Sequence, residues 1–482
     1  MLSRILLRNI YPCSILSKRH LSNNTLRTKI SSTIGGGGGG GGGGDQPESP
    51  LLYELARQIR FNGPMTVHDY MKTALTHPQH GFYMKSDVFG SSGHFTTSPE
   101  VSQLFGELMG IWILHEWLQV DGGTKRPLRI VELGPGRGTL TSDIARVMSQ
   151  FEMTKDCCQF FLIEISTHLQ QIQEKQICKR LFDDEKRIAS IVRQYQNDGQ
   201  YRATTHYGQP ITWYQHLDRL SYSNDGFTVF IANEFFDALP IYKFVKLDNK
   251  WREMLIDIDA ADIDSTMTSR HSSHTNRSNG KLRWIRANRD TPATKMFANQ
   301  QLMNNYPIEG EHLEICPQTI VIIENIVRRI NRHDGCLLIC DYGYDSNDTN
   351  VMETSINRDT FRAYRHHKPI DPLQCPGMAD LTADVDFSYI RHKLSSKANV
   401  YGTVSQSHFL RSLGIEVRLQ KLNESTTNET YREELNSGAN MLLNDMGQRF
   451  KLMAIFGKTH PKHLIPFAFD HSHLNDDNSS NK

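Results

Sequence analysis

The feature that most constrains the fold of this sequence is an apolar segment that runs through three closely spaced glycines into a helical pattern. Leu128 to Leu133 is predicted to form a strand, and Leu140 to Met148 has helical periodicity. Gly134, Gly136 and Gly138 lie between them. Glycines let a strand-to-helix turn close tightly and let a ligand touch the backbone, while the helix N-terminus offers free N–H donors. The pattern predicts an α/β unit with a ligand site at the turn.

Further apolar segments alternate with helical patterns along the chain, as expected for strands with helical crossovers. A parallel sheet covered on both faces has mostly apolar strands of this kind, so the predicted class is α/β with a mainly parallel sheet. A last segment is predicted to close the sheet as an edge strand. The predicted strands are residues 160–165, 228–232, 336–340 and 451–456, with helices over 101–117 and 320–330. Ser98 is the predicted N-cap of the helix over 101–117.

The spacing of the glycines distinguishes two cofactor classes. Dinucleotide folds use G-x-G-x-x-G with a pyrophosphate at the helix N-terminus. Here the third glycine comes one residue earlier, and Glu132 lies at the strand end, where a carboxylate suits the cationic amino acid end of S-adenosylmethionine (AdoMet). Glu164 ends the second strand, 26 residues beyond Gly138, and is expected to accept the ribose hydroxyls. Gly134, Gly136 and Gly138 are expected to contact the cofactor; the alternative is a glycine-rich turn without a ligand.

The third strand ends in polar side chains set between aromatic rings, which suits a cationic acceptor. Asn233, Glu234 and Asp237 are the candidate catalytic residues. Aromatic rings can stack on a guanidinium, and carboxylates can orient it and take the proton that leaves during N-methylation. The alternative is a helix N-terminus with Asn233 as its cap. The segment from Asp341 to Tyr344 follows the fourth strand and is either a substrate-side element or a simple turn.

The ends of the chain and one internal stretch differ from this pattern. No acidic residue precedes Asp45, and the basic, Ser-bearing first segment is typical of a mitochondrial transit peptide, the alternative being a disordered basic tail. A run of ten glycines then predicts a linker. The predicted organisation is a transit peptide at 1–34, a linker at 35–50, a helical region at 51–125, a methyltransferase domain at 126–458 with a disordered insertion at 259–281, and a disordered tail at 459–482.

Composition narrows the remaining classes of function. The formal net charge of +1 does not predict binding to nucleic acid or to a membrane, and no apolar run is long enough to span a bilayer. The eight cysteines show no CxxC pair and no zinc-site spacing, so free thiols and no metal are expected.

Six segments, in order over roughly residues 50 to 460, resemble the MidA-type mitochondrial arginine methyltransferases, which are assembly factors for respiratory complex I. They are GPMTVHDYM, FTTSPEVSQLFGELMG, VELGPGRGTL, ANEFFDALP, CDYGY and PGMADLTADVDF. The resemblance implies a class I AdoMet-dependent methyltransferase fold (Rossmann-like) with an N-terminal helical cap and insertions. It also implies a matrix location, a possible homodimer, and symmetric dimethylation of an arginine in a core complex I subunit of the NADH dehydrogenase iron–sulfur type.

By the same resemblance, Gly134, Gly136 and Gly138 would line the cofactor, and Asn233, Glu234 and Asp237 the active site. Two residues depart from the family pattern: His94 stands where Asp is usual, and Asp384 where His is usual. Both lie in segments expected near the substrate, so the resemblance says less about the acceptor contacts than about the cofactor site. Two other functions stay open, a methyltransferase for small amines or hydroxyls and an AdoMet-binding assembly chaperone without turnover.

Overall fold

A computed structural model of the protein describes eight stretches of the chain, residues 49–85, 96–121, 126–178, 200–221, 226–259, 281–298, 312–346 and 359–470. The predicted transit peptide, the glycine run, His94 and nearly all of the predicted insertion lie outside these residues. Ser49 and Pro50, assigned to the linker from sequence, belong to the folded part, because Pro50 begins the first described helix and Ser49 Oγ bonds to the carbonyl of Pro376.

The central sheet is formed by β2 (Leu128–Leu133), β3 (Cys158–Ile163), β4 (Gln200–Thr204), β5 (Pro210–Tyr214), β6 (Phe227–Asn233), β11 (Gly335–Tyr344), β15 (Val385–Asp386), β16 (Asn399–Ser405) and β17 (Phe450–Phe456). The strand order is β16-β17-β11-β6-β2-β3-β5-β4, with β15 beside β11. The five strands from β11 to β5 run parallel, and β4, β17 and β16 are antiparallel to their neighbours. The prediction of a mainly parallel sheet is confirmed.

Helices cover both faces of this sheet and bury its apolar side chains. Trp112 and Trp117 anchor one face and Ile326 and Phe387 the other. The first face carries α5 (Gln103–Asp121), α6 (Thr139–Ser149), α8 (Thr167–Ile177), α12 (Gln406–Ser412), α13 (Ile415–Ser425) and α14 (Glu429–Asn440); the second carries α10 (Pro317–His333) and α11 (Phe387–Leu394). Short elements complete the layer: α4 (Ser98–Val101), α7 (Glu152–Lys155), a 3₁₀ turn (Leu217–Arg219) and a π turn (Met441–Asp445).

A second core lies beyond the carboxyl end of the sheet, formed by N-terminal helices and two antiparallel sheets. Leu55 and Tyr70 from the helices pack there with Ile256 and Leu381 from the sheets. Most strands of one sheet follow β6 in the chain, and the strands of the other follow β11. Both sheets therefore lie at the carboxyl ends of these two parallel strands. The elements are α1 (Pro50–Asn62), α2 (Val67–Thr76), α3 (Phe82–Lys85), α9 (Pro292–Phe297), β1 (Met65–Thr66), β7 (Tyr242–Leu247), β8 (Lys250–Ile258), β9 (Leu282–Arg286), β10 (His312–Ile315), β12 (Arg362–Arg365), β13 (Lys368–Ile370) and β14 (Asp380–Thr382).

Three expectations about individual segments are wrong. β17 is not an edge strand, because β16 pairs along its free side. The predicted helix over 101–117 is broken at Ser102, whose extended backbone separates α4 from α5. The tail predicted from residue 459 is packed as far as 470, since Phe469 is buried and Trp112 Nε1 donates to the carbonyl of Phe467.

None of the described helices is long and apolar enough to cross a membrane. The seven cysteines within the described residues are all free thiols.

Candidate functional site

The glycine turn leaves a fully buried strand and reverses direction through left-handed backbone. The φ angles of Gly134, Gly136 and Gly138 are 58°, 53° and 83°. L-residues with a side chain rarely adopt such angles, and space adds a second constraint at two of the positions. A Cβ on Gly134 would lie 2.7 Å from the ring of Phe235, and a Cβ on Gly138 would lie 2.7 Å from Ile177 Cδ1. Glycine is therefore required at this turn for both backbone geometry and packing.

Glu132 lies in β2 two residues before Gly134, is buried, and accepts a hydrogen bond from Thr141 Oγ1 of α6. Burial raises the pKa of its carboxyl to about 7, against the opposing effect of the Thr141 hydrogen bonds. Glu132 is predicted to bind the cationic amino acid end of AdoMet as a carboxylate. A cation at that place would favour the ionised form of Glu132.

Glu164 directly follows β3 and is joined to the glycine turn through a residue that the sequence did not single out. Its Oε1 accepts the N–H of Ser166 at 2.8 Å, and its Oε2 accepts Gln173 Nε2 at 3.1 Å. The same Gln173 nitrogen lies 2.8 Å from the carbonyl of Gly136, and Trp213 Nε1 donates to Gln173 Oε1 at 2.9 Å. Burial raises the pKa of Glu164 to about 7. Gln173 therefore fixes the distance between the turn and Glu164.

Asn233 is the last residue of β6, and Glu234 follows it close to Ser98, the first residue of α4. Glu234 has a φ of 50° and accepts the N–H of Ser98 at 2.7 Å through Oε1. Asn233 Nδ2 lies 3.4 Å from the same oxygen. Burial raises the pKa of Glu234 to about 8, and the Ser98 hydrogen bond opposes that shift. Ser98, predicted as a helix cap, instead has Thr97 before it in the cap position and serves to hold Glu234.

Only one of the two carboxylate oxygens of Asp237 accepts side-chain hydrogen bonds. Its Oδ2 accepts hydrogen bonds from Tyr342 Oη and from Thr382 Oγ1, the latter at 2.9 Å. Its Oδ1 and the Oδ1 of Asn233 are buried and make no hydrogen bond to any described residue. Since an unpaired buried acceptor is costly, these two oxygens mark a place for a donor from a bound molecule.

The segment after β6 is not helical, so the alternative of a helix N-terminus at Asn233 is wrong. Asp341 supplies the reason for its shape, since Asp341 Oδ2 accepts the backbone N–H groups of Phe235, Phe236 and Asp237 at 3.0 to 3.4 Å. Asp341 is fully buried inside β11, so it is neither a simple turn residue nor a direct substrate contact. It shapes the loop that carries Asp237.

Asp380, which sequence reasoning missed, is the last member of an acidic cluster, and Tyr83, which was also missed, is its hydrogen-bond partner. Tyr83 Oη donates to Asp380 Oδ1 at 2.7 Å, and burial raises the pKa of Asp380 to about 7. They lie about 300 positions apart, so no local pattern in the sequence could pair them. The acidic cluster is defined here as Glu234, Asp237, Asp341 and Asp380, all buried or half-buried, and it favours a cationic group.

We expect the ligand-free protein to lose thermal stability as the pH rises from about 5 to about 8. Burial raises the pKa of Glu132 and Glu164 to about 7 and that of Glu234 to about 8, well above the values of an unfolded chain. The folded state therefore holds these protons more tightly, and the resulting stability is complete below the unfolded pKa and is lost as the pH passes the folded one. Melting curves should show Tm falling by about 2 °C or more across this range.

Glu164→Gln is the matched variant for this pH effect, because it keeps the size of the side chain and removes its titration. We expect a flatter dependence of Tm on pH in this variant. A wild-type Tm that rises steadily between pH 5 and 8 would contradict the burial of these acids.

Comparison with known proteins places the chain among methyltransferases. The family described as "Putative S-adenosyl-L-methionine-dependent methyltransferase" matches residues 108–404. The chain is similar to "Protein arginine methyltransferase NDUFAF7, mitochondrial" of Xenopus laevis, at 38% identity over 419 residues that cover 86% of each protein. The human protein of that name is 38% identical over 415 residues, 85% of this chain and 84% of the relative. The Drosophila melanogaster homolog is 36% identical over 439 residues, 87% and 90% of the two chains.

The fold is also found in solved structures. A COG1565 superfamily member from Burkholderia thailandensis, crystallised with bound S-adenosyl-homocysteine, is similar to this chain with a TM-score of 0.61 at 20% identity, covering 86% of this chain and 95% of that one. The predicted class I methyltransferase fold is confirmed.

The turn fits the cofactor that this family uses. Three glycines with positive φ leave the backbone open to a ligand, and two buried acids are close to it: Glu132 in β2, and Glu164, which is linked to Gly136 through Gln173. The unpaired Asn233 Oδ1 adds an acceptor at the adjacent strand end. By its family match and by its identity to these relatives over most of its length, the chain belongs to the S-adenosyl-L-methionine-dependent methyltransferases, and S-adenosylmethionine is its cofactor.

Proposed function

We propose that this enzyme methylates an arginine side chain of a protein in mitochondria. The observation that carries the proposal is the acidic cluster beside the candidate cofactor turn, with the buried and unpaired Oδ1 of Asp237 at its centre. A guanidinium has five N–H donors in a planar fork and is charged at any physiological pH, so a site with carboxylates and open acceptors suits it better than a neutral acceptor. The relatives named as protein arginine methyltransferases support the same substrate.

The residues of the chain have separate tasks in this reaction. When bound, the cofactor would supply a methyl group from a cationic sulfonium, and the broken carbon–sulfur bond would leave a neutral thioether. Glu234, fixed by Ser98, and Asp237, fixed by Tyr342 and Thr382, hold the guanidinium in one orientation. Holding the charge at one end of the guanidinium leaves the lone pair of the reacting nitrogen more available. That nitrogen then gains the methyl group and loses a proton, which Asp237 Oδ1 accepts.

We further propose that the product is symmetric dimethylarginine on a core subunit of respiratory complex I of the NADH dehydrogenase iron–sulfur type, and that the enzyme supports assembly of that complex in the matrix. These finer statements rest on the family resemblance and on the basic, acid-free first segment. Residues 1–34 as a cleaved transit peptide and a homodimer as the active form belong to the same proposal.

Mass spectrometry of labelled substrates tests this function. The full chain is incubated with methyl-labelled AdoMet and complex I core subunits, and the label is mapped. We expect label on arginine, with fragments that identify symmetric dimethylarginine. Cofactor binding without transfer would favour the assembly chaperone, whereas transfer to small amines alone would favour the small-molecule enzyme. Either result would overturn the proposed substrate.

Import into isolated mitochondria tests the location. We expect the precursor to be shortened and to become resistant to external protease, including after rupture of the outer membrane. Persistent sensitivity to the protease would contradict a matrix enzyme.

A further inference from the structure

Arg362 on β12 lies against the acidic cluster without belonging to it. Its guanidinium carbon is 4.9 Å from the centre of the Tyr342 ring, a distance at which a cation is attracted to an aromatic face. Its Nη2 is 2.6 Å from Asp384 Oδ1, and its Nη1 donates to the carbonyl of Thr360 at 3.1 Å. Three contacts from different elements therefore hold one arginine in place over one tyrosine.

Tyr342 connects this arginine to the acceptor site. Its hydroxyl donates to Asp237 Oδ2, and Thr382 donates to the same oxygen. Both donors stabilise the ionised form of Asp237 and leave Oδ1 as its open oxygen. Because the ring face of Tyr342 contacts Arg362 while its hydroxyl contacts Asp237, a shift of Arg362 would also move the donor.

The groups around Asp237 affect the pKa of its carboxyl group. Burial raises the pKa of Asp237, while hydrogen bonds from Tyr342 and Thr382 and the positive charge of Arg362 lower it. Burial raises the pKa of Asp341, Asp380 and Tyr83, and the charge of Asp237 raises it further. The groups that face Asp237 are Glu234 beside it in the chain, Asp341 and Tyr342 on β11, Arg362 on β12, Asp380 and Thr382 on β14, and Tyr83 on α3.

We propose that Arg362, held by Asp384 over the ring of Tyr342, is a positioning residue that favours the carboxylate form of Asp237 and keeps its hydrogen bonds oriented for a cationic acceptor. The proposal rests on the proposed function in taking Asp237 as the acceptor-side carboxylate. It also gives Asp384 a role, because Asp384 anchors Arg362 rather than contacting the acceptor. Arg362 is predicted to act through Asp237 without touching the reacting atoms.

Infrared titration of the enzyme tests this inference without any substrate. The band of the protonated Asp237 carboxyl is identified as the one that Asp237→Asn removes. In Arg362→Met we expect the pH at which this band disappears to rise by roughly one unit, which is about a tenfold change in the ratio of ionised to protonated Asp237 at a given pH. Arg362→Lys, which keeps the charge, should shift it by less than half as much. Arg365→Met is the matched control on the same strand, and because its side chain lies near Cys375 it should leave the band unchanged.

A second readout is the pH profile of methyl transfer at saturating AdoMet. Arg362→Met should move the acidic limb of kcat to higher pH and recover most of its rate above that limb, with an unchanged Kd for AdoMet. An Asp237 band that titrates as in the wild type would overturn the inference, as would an equal shift in the Met and Lys variants. If Arg362→Met does not fold, Arg362→Gln carries the test, since an amide can still donate to the Thr360 carbonyl.

The two readouts distinguish this inference from the proposed function. A wild-type enzyme without arginine transfer would overturn the function and leave the infrared titration valid as a test of Arg362. An unshifted band in an enzyme that methylates arginine would overturn only the role of Arg362.

Discussion

Gly136→Val is expected to abolish AdoMet binding and, with it, all methyl transfer. Gly136 has a φ of 53°, and valine, branched at Cβ, is among the residues least able to adopt that backbone. A valine side chain would also stand between the cofactor and the backbone that it is predicted to touch. We expect the Kd for AdoMet, measured by calorimetry, to rise about 100-fold or more, which corresponds to about 2.7 kcal/mol.

The control for backbone strain is Gly208→Val. Gly208 also has a positive φ, 94°, and a Cβ there would meet nothing within 4 Å. It precedes β5, at the amino edge of the sheet and away from the glycine turn. This variant should lower Tm and leave the Kd for AdoMet within about twofold of the wild type. If Gly136→Val retained AdoMet binding, or if both variants lost it equally, the placement of the cofactor at residues 134–138 would be wrong.

Asp237→Asn is expected to reduce kcat by roughly a thousandfold while the Kd for AdoMet changes little. Asparagine has nearly the same shape, and its carbonyl oxygen can still accept from Tyr342 and Thr382. It has no charge for the guanidinium, however, and it cannot take the proton that leaves the methylated nitrogen. Single-turnover rates with labelled AdoMet and an arginine-bearing protein substrate measure the loss.

Two further variants show whether this loss is specific. Thr382→Val removes one of the two donors to Asp237 Oδ2, so a smaller loss of about tenfold is expected. Asp156→Asn removes an exposed acid just before β3, at the amino edge of the sheet, and should leave the rate unchanged. A kcat for Asp237→Asn within about tenfold of the wild type would exclude Asp237 as the proton acceptor.

The strand–turn–helix unit could be predicted from the sequence because each of its signals is local. β2 covers the predicted residues, α6 extends the predicted helix by one residue at each end, and the neighbouring strands fall close to their apolar segments. The position of β17 inside the sheet could not be predicted in this way, because strand order depends on pairing between segments far apart in the chain. The packing of residues 459–470 was missed for a similar reason, since their short apolar run at 464–469 is flanked by polar residues and reaches the core only by packing against distant parts of the chain.

Some residues of the candidate acceptor site could also be predicted from local sequence signals, and others could not. Asn233, Glu234 and Asp237 could be named from the sequence because polar residues that directly follow a buried parallel strand must lie at its carboxyl end. Ser98, Thr382 and Arg362 could not, because each reaches the site from a different element. Tyr342 belongs to the segment 341–344, for which the sequence left a substrate-side element and a simple turn as alternatives. Asp341 was misjudged because β11 continues past the last apolar residue, which places this carboxylate inside the strand.

The sequence by itself determined the fold class, the glycine turn and the strand-end acids, since backbone requirements and apolar periodicity act over a few neighbouring residues. Only the tertiary structure decided which acid is held by which donor, and that Asp341 shapes the loop while Asp237 keeps one oxygen free. The physical reason is that a buried charge takes its properties from the groups that surround it in space. At this site those groups come from parts of the chain more than a hundred residues apart.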